Sequence, residues 1–211
     1  MHATRRDRSC DLFLTHYLSS RNQIDRPGKG HCRDVKCMFK EVRDLSGPEL
    51  EQALRIYSSS FPAVETRPIE RVVFMLKNDP DYHLYVAVQN QLVVAMSLLY
   101  VFRELHIGLL DYMAVTPECQ RRGFGTKLFT YTLDKLRNEI DDPVGLLLEI
   151  QREDVTDLKE HRIREDRIRF YARLGAKVLY GVDYLLPPQH GIEPEKTYLM
   201  ILPLKEICLL Y

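Results

Sequence analysis

Tryptophan is absent and cysteine is scarce, with five in 211 residues. The cysteines form no CxxC pair and no even-numbered framework. That excludes a disulfide-stapled scaffold and makes a reducing cytoplasm the default compartment. No apolar run approaches the roughly 18 residues of a membrane helix, so no membrane partner is expected. Net charge is missing too: thirty Lys+Arg balance thirty Asp+Glu. Bulk positive charge therefore cannot recruit nucleic acid, although a local patch stays open. No internal repeat or low-complexity tract interrupts the chain. What is present is ordinary globular material, 45% hydrophobic and 28% charged, which excludes a mainly disordered or collagen-like chain. The length favours one domain, with room for an appendage.

The neutral total conceals an asymmetry. Residues 1–37 carry eight Lys/Arg and four Asp, leaving 22 basic and 26 acidic groups for residues 38–211. The leading segment holds Cys10, Cys32 and Cys37 and the breaker Pro27-Gly28-Lys29-Gly30, and it lacks the apolar core of a secretory signal. Three readings compete: a flexible basic extension, a start-site artefact in which Met38 is the natural first residue, or a targeting or metal-binding arm. His31, Cys32 and Cys37 are metal-ligand types, but their spacing matches no zinc template, so no metal is expected. The expected organisation is an extension, 1–37, and a single domain, 38–211.

Within that domain, 39–44 alternates like an edge strand. Ser46, three residues before Glu49, predicts a capped helix start, with Leu50, Ala53, Leu54 and Tyr57 on one face. A second helix is expected over 68–77. Segments 82–88, 92–102 and 104–115 then read as three strands of an antiparallel meander, turning first at Gln89-Asn90-Gln91. A helix is expected from Gly123 to Ile140, and a doubly buried strand over 144–150. The charged stretch 152–165 reads as a loop running into a helix that ends at Gly175. Strands at 177–180 and 197–203 close the chain. The mixed order predicts a layered α/β sheet with an antiparallel front half.

The sharpest local feature is residues 110–129, LDYMAVTPECQRRGFGTKLF. A strand ends at Val115, and Gln120-Arg121-Arg122-Gly123-Phe124-Gly125-Thr126 leads into a helix. A helix start leaves backbone N–H groups without acceptors and carries partial positive charge, which suits a diphosphate. Gly123 and Gly125 allow close backbone approach, and Arg121 and Arg122 add charged donors. The P-loop pattern fails, because Gly-Thr-Lys is in the wrong order. The dinucleotide fingerprint fails as well, because position 128 is Leu. A plain Arg-Gly turn capping a helix remains the bland alternative, and a nucleotide-binding loop a third.

The wider stretch resembles the acetyl-CoA loop of the GNAT superfamily of N-acetyltransferases. The family pattern Gln/Arg-x-x-Gly-x-Gly/Ala is met by Gln120, Gly123 and Gly125, after Ala114-Val115 and Pro117. A second motif follows in order at Phe170-Tyr171 and Gly175-Ala176. The resemblance spans about residues 38–203. It implies a three-layer α/β fold whose mixed, mostly antiparallel central sheet of about seven strands, flanked by helices, is splayed between its fourth and fifth strands, here 104–115 and 144–150. It also implies acetyl-CoA as cosubstrate, with Met113, Ala114 and Val115 against the pantetheine and Gln120 through Thr126 on the pyrophosphate. The implied reaction is direct acetyl transfer to a primary amine of a small molecule or peptide, by a monomer or homodimer. An acyl-CoA-binding sensor without turnover is the rival.

Tyr171 occupies the family's leaving-group acid position, with a packing aromatic as its bland reading. Glu149, ending an apolar strand, is a base candidate whose pKa burial would raise, and Asp111 is the alternative. Arg164 stands where many relatives carry an Asn that contacts CoA; a solvated helix face is the expectation there. His83 and His106 read as structural. The loop from Tyr184 to His190 is a candidate wall for the acceptor site.

Overall fold

The computed structural model describes residues 37–61, 66–186 and 196–206. The expectations for residues 1–36, and for Pro187, Pro188 and His190, lie outside the described residues. The elements run β1 (Met38–Glu41), α1 (Pro48–Ser60), α2 (Ile69–Asn78), β2 (Tyr82–Gln89), β3 (Leu92–Phe102), β4 (Ile107–Val115), α3 (Phe124–Glu139), β5 (Gly145–Gln151), α4 (Leu158–Arg173), β6 (Lys177–Val178), β7 (Tyr184–Leu185) and β8 (Lys196–Pro203).

Local chemistry accounts for most of these boundaries. Leu50, Ala53, Leu54 and Tyr57 are buried on one face of α1, as their helical spacing requires. The helix begins differently from expectation. Ser46 bonds back to Asp44, Glu49 pairs with Lys40, and Gly47 takes the cap position ahead of Pro48. Serine and glutamate are thus taken up by other partners. Asn90 and Gln91 both adopt positive φ, 51° and 64°, the backbone of a tight two-residue hairpin turn. The expected strand 104–115 starts three residues later. Arg103–Leu105 forms a short 3₁₀ turn that ends at His106, φ 52°. Arg103 is held there by the Glu139 carboxylate at 2.8 Å and its carbonyl at 2.6 Å. His106 joins the Asp141 carbonyl at 3.0 Å, and His83 joins Glu41 at 3.0 Å, so both histidines have structural partners.

Among the described residues the sheet has eight strands in the order β1-β2-β3-β4-β5-β8-β6, with β7 also on β8. β7 is the strand that the sequence did not reveal; its two residues are too few to show alternation. All pairs are antiparallel except β4 with β5. Beneath the sheet, α3 buries Leu128, Phe129, Leu133 and Leu136 against residues of β3, β4 and β5. A polar contact crosses this layer where the Ser97 and Thr132 hydroxyls lie 2.7 Å apart. Thr132 donates to the Leu128 carbonyl at 2.9 Å, so Ser97 is the donor of that pair.

The feature that shapes the molecule is a bulge. In the β3–β4 ladder Leu98 faces Tyr112 and Leu99 faces Leu110, leaving Asp111 without an opposite residue. Such an extra residue bends its strand and resets the alternation of side chains. The parallel β4–β5 ladder runs only from Ile107–Gly145 to Leu110–Leu148; beyond it the strands part. Asp111 is anchored on the side of α1 and α2. Its Oδ2 accepts from Arg67 and from the Tyr82 hydroxyl at 2.7 Å, and its side chain is 3% exposed.

Two stability outcomes follow. Arg67→Met strands the buried Asp111 carboxylate and lowers unfolding free energy by about 3–5 kcal/mol. Gly145→Ala sets a Cβ 2.8 Å from the Leu202 carbonyl, a backbone atom that cannot yield cheaply. Overpacking of that kind costs about 1–3 kcal/mol. Urea unfolding followed by circular dichroism measures both.

Candidate active site

Where β4 and β5 part, a cleft of about 970 Å³ opens between them, in the size range of pockets that hold small ligands. It runs from the strand ends to the start of α3 and is closed on one side by Phe170 and Tyr171 of α4. Asp111, Met113, Ala114, Val115, Gln120, Arg121, Gly123, Gly125, Thr126, Glu149 and Tyr171 all line it. Arg122 and Phe124 do not. Phe124 turns into the core, 8% exposed, and the Arg122 guanidinium lies over its ring, 5.8 Å from the centroid.

The turn before α3 exposes backbone donors. Gly123 caps the helix with φ 81°, and no side chain bonds the cap. The first helical bond there is Lys127 N–H to the Gly123 carbonyl, 3.0 Å. The amides of Phe124, Gly125 and Thr126 therefore have no acceptor within the helix. Arg121 also takes positive φ, 57°. A Cβ added at Gly123 would meet nothing within 4 Å, so the space before the turn is open. Gln120 plays a local part: its amide donates to the Val115 carbonyl at 3.2 Å, folding the turn onto the end of β4. Uncapped amides, a helix dipole and Arg121 beside open space fit an anionic group such as a pyrophosphate.

The two faces of the sheet contribute different chemistry to the cleft. Leu146, Leu148 and Ile150 of β5 pack with α3 and with Tyr171 of α4. Residues at alternate positions of a strand face the other way, which puts Glu149 and Gln151 on the opposite face. Through the parted seam, groups from both faces reach one cavity. Burial pushes the Glu149 carboxyl above the usual carboxylate range, and the nearby Asp111 charge adds to the rise. The Tyr184 hydroxyl, donating to Glu149 Oε1, pulls the other way. Burial pushes the Tyr171 phenol up to about 12, so it keeps its proton at neutral pH. Its ring is wedged against Phe129 and Phe170, with centroids at 5.7 and 5.0 Å.

Asp111 is held differently. With Arg67 and Tyr82 both on Oδ2, it is fixed as an anchor of the bulge. Tyr112, next along the strand, meets Tyr57 edge-on at 4.8 Å. Tyr184, which fixes Glu149, lies in the stretch read from the sequence as a candidate acceptor wall. Arg67, Tyr82 and Arg167 were not singled out by sequence. Arg67 and Tyr82 lie 44 and 29 residues from Asp111, and only their contact in space marks them. Arg164 departs from expectation. It is 9% exposed, with Nη1 on the Arg152 carbonyl at 3.0 Å and Nε on Glu160 at 2.9 Å. It pins the coil after β5 and presents no solvated face.

Among the described residues, no helix is long and apolar enough to cross a membrane. No group of three His, Cys, Asp or Glu side chains among them is placed to hold a metal ion.

Comparison with known proteins agrees with this architecture. A putative GNAT-family acetyltransferase of Bacteroides thetaiotaomicron superposes with a TM-score of 0.62 at 21% identity, over 78% of this chain and 85% of its own. The ribosomal-protein-S18-alanine N-acetyltransferase of Escherichia coli gives 0.55 at 20% identity, over 83% and 99%. A GNAT-family acetyltransferase of Elizabethkingia anophelis with acetyl-CoA bound gives 0.53 at 15%, over 80% and 98%. No curated protein matches the sequence. At these identities the likeness establishes the fold. Residues 50–176 match the family model described as the acetyltransferase (GNAT) family, more than half of the chain. The chain belongs to the GNAT acetyltransferase family.

Proposed function

We propose that the protein transfers an acetyl group from acetyl-CoA to a primary amine by direct attack, without a covalent enzyme intermediate. The observation that carries this reading is the parting of β4 and β5 after Leu110 and Leu148 into a cleft that ends at the uncapped start of α3. Bound acetyl-CoA would supply a thioester as the electrophile.

The amides of Phe124, Gly125 and Thr126 hold the pyrophosphate, with Arg121 adding charge, and the freed edge of β4 at Met113–Val115 lies along the pantetheine arm. Glu149, facing the cleft from the opposite side of the sheet, takes the proton that an ammonium must lose before its nitrogen can attack. Its raised pKa brings it closer to the proton affinity of the acceptor than an ordinary glutamate. A backbone N–H near Met113 is the natural donor to charge developing on the carbonyl oxygen. Tyr171, protonated at neutral pH, stands at the far wall with a proton for the departing sulfur.

Gly125→Glu tests the coenzyme half. A Cβ there meets Phe170 and Val115 at 3.5 and 3.6 Å, ordinary contacts. A carboxylate in a helix's first turn favours the helix. The variant is expected to fold and to lose the rise in Tm that CoA gives the wild type, with ATP and NAD giving no rise in either protein. The proton-transfer half is tested by pH. The acidic limb of kcat/KM reports loss of ionised Glu149 and is expected above the ordinary glutamate pKa of about 4.3. Glu149→Gln removes that limb and lowers kcat/KM by about 10²–10⁴. Retention of full rate in both Glu149→Gln and Tyr171→Phe overturns the assignment of roles.

A further inference from the structure

Beside the main cleft a smaller recess of about 70 Å³ shares Asp111, Tyr112, Glu149 and Arg167 with it and adds Gln151 and Thr197. Gln151 and Thr197 are cross-strand partners in the β5–β8 ladder. They are 8% and 4% exposed. The Gln151 Nε2 and the Thr197 hydroxyl are shut off from solvent with no hydrogen-bond partner. A buried donor left unmade costs about 1–3 kcal/mol, so a pair side by side in a cavity wall needs an explanation. Packing does not supply one: valine would fill the place of Thr197, and leucine or methionine that of Gln151.

The orientation of the amide is settled by chemistry. Arg167 Nη1 lies 2.7 Å from Gln151 Oε1. Arginine can only donate, so the atom facing it is the amide oxygen and the NH₂ faces away. Gln151 and Thr197 both line the recess, so its wall carries an unpartnered, uncharged amide N–H donor and a hydroxyl. Glu149 lies two residues earlier on the same face of β5, at a spacing of about 6.5–7 Å along the strand. A molecule that places a nitrogen at Glu149 and an oxygen at Gln151 and Thr197 spans that gap when the two atoms sit on adjacent carbons.

We propose that Gln151 and Thr197 form an acceptor subsite for a neutral carbonyl oxygen on the carbon next to the amine-bearing carbon. The ligand class is the α-amino carbonyl unit of an amino-acid amide or a peptide N-terminus. This rests on the transferase reading above and adds a substrate class to it. Asp111 and Glu149 line the recess against one cation, Arg167, which already donates to the Gln151 oxygen, and the free donors at Gln151 and Thr197 are uncharged, so a carbonyl suits the wall better than a carboxylate. An unpaired donor in the wall also sets the direction of discrimination: a site built to bond an oxygen rejects the analogue that lacks it.

The test compares alaninamide, alanine and sec-butylamine, with each kcat/KM referred to the free-amine concentration. The wild type is expected to favour alaninamide over sec-butylamine by 10-fold or more, and over alanine as well. Thr197→Val and Gln151→Met are each expected to cut the alaninamide-to-sec-butylamine ratio by 10-fold or more, and Thr197→Ser, which keeps the hydroxyl, to preserve it. Equal use of the two amines by the wild type, preference for alanine, or an unchanged ratio in both variants overturns the subsite. If no amine is acetylated, the transferase reading fails. The subsite is then read by NMR titration of alaninamide and sec-butylamine into the CoA-loaded protein. Selective binding of alaninamide, lost in Thr197→Val, upholds it; binding of neither, or of both alike, overturns it.

Discussion

Everything in the site depends on one residue having no opposite number. Asp111 is the extra residue of β4, and its carboxylate is tied to Arg67 and Tyr82 on the side of α1 and α2. Had β4 run straight, its ladder with β5 would continue past Leu110 and Leu148, and the cleft would be filled by backbone hydrogen bonds. The bulge turns the strand away, and the buried ion pair keeps it turned. Ion pairs in low dielectric are poor sources of net stability but costly to break. That property suits a device whose task is to hold a geometry. It also accounts for a carboxylate in so apolar a strand: the charge is paired where it is buried.

The parted seam joins two environments that a closed sheet would keep separate. On one face stand Tyr171 and the aromatic packing of α4; on the other stand Glu149, Gln151 and the Tyr184 hydroxyl. Burial acts on both ionisable groups but with opposite use. It keeps the Tyr171 phenol protonated at neutral pH and raises the Glu149 carboxyl above its ordinary value. The separation of the two groups is thus a matter of sheet faces, set by the alternation of side chains along β5.

How much of this the chain declares in advance varies with sequence distance. Helix α1 is legible in Leu50, Ala53, Leu54 and Tyr57 because the contacts that define an amphipathic face repeat every three or four residues. The turn at Gly123 is legible because positive φ and uncapped amides are local requirements. The bulge is not, since GLLDYMAV reads as an unbroken strand and only the register against β3 exposes the extra residue. The pairing of Asp111 is not legible either, because its partners, Arg67 and Tyr82, lie far along the chain. Ser46 looked like a cap because nothing in the motif says that Asp44 is nearer. Arg164 looked solvated because its neighbours in sequence are charged, whereas its partner in space is a backbone carbonyl from the coil after β5.

The short parallel ladder between Ile107–Leu110 and Gly145–Leu148 has a further consequence, for the route by which the chain assembles. Strands β2, β3 and β4 follow one another through tight turns, so their contacts close small loops. β5 joins them only after the whole of α3 has been laid down as a crossover, and it does so through four residue pairs. Loop-closure entropy and contact order rank such a junction behind the hairpins. The two antiparallel blocks of the sheet thus meet late in folding, along the line where the mature protein is open.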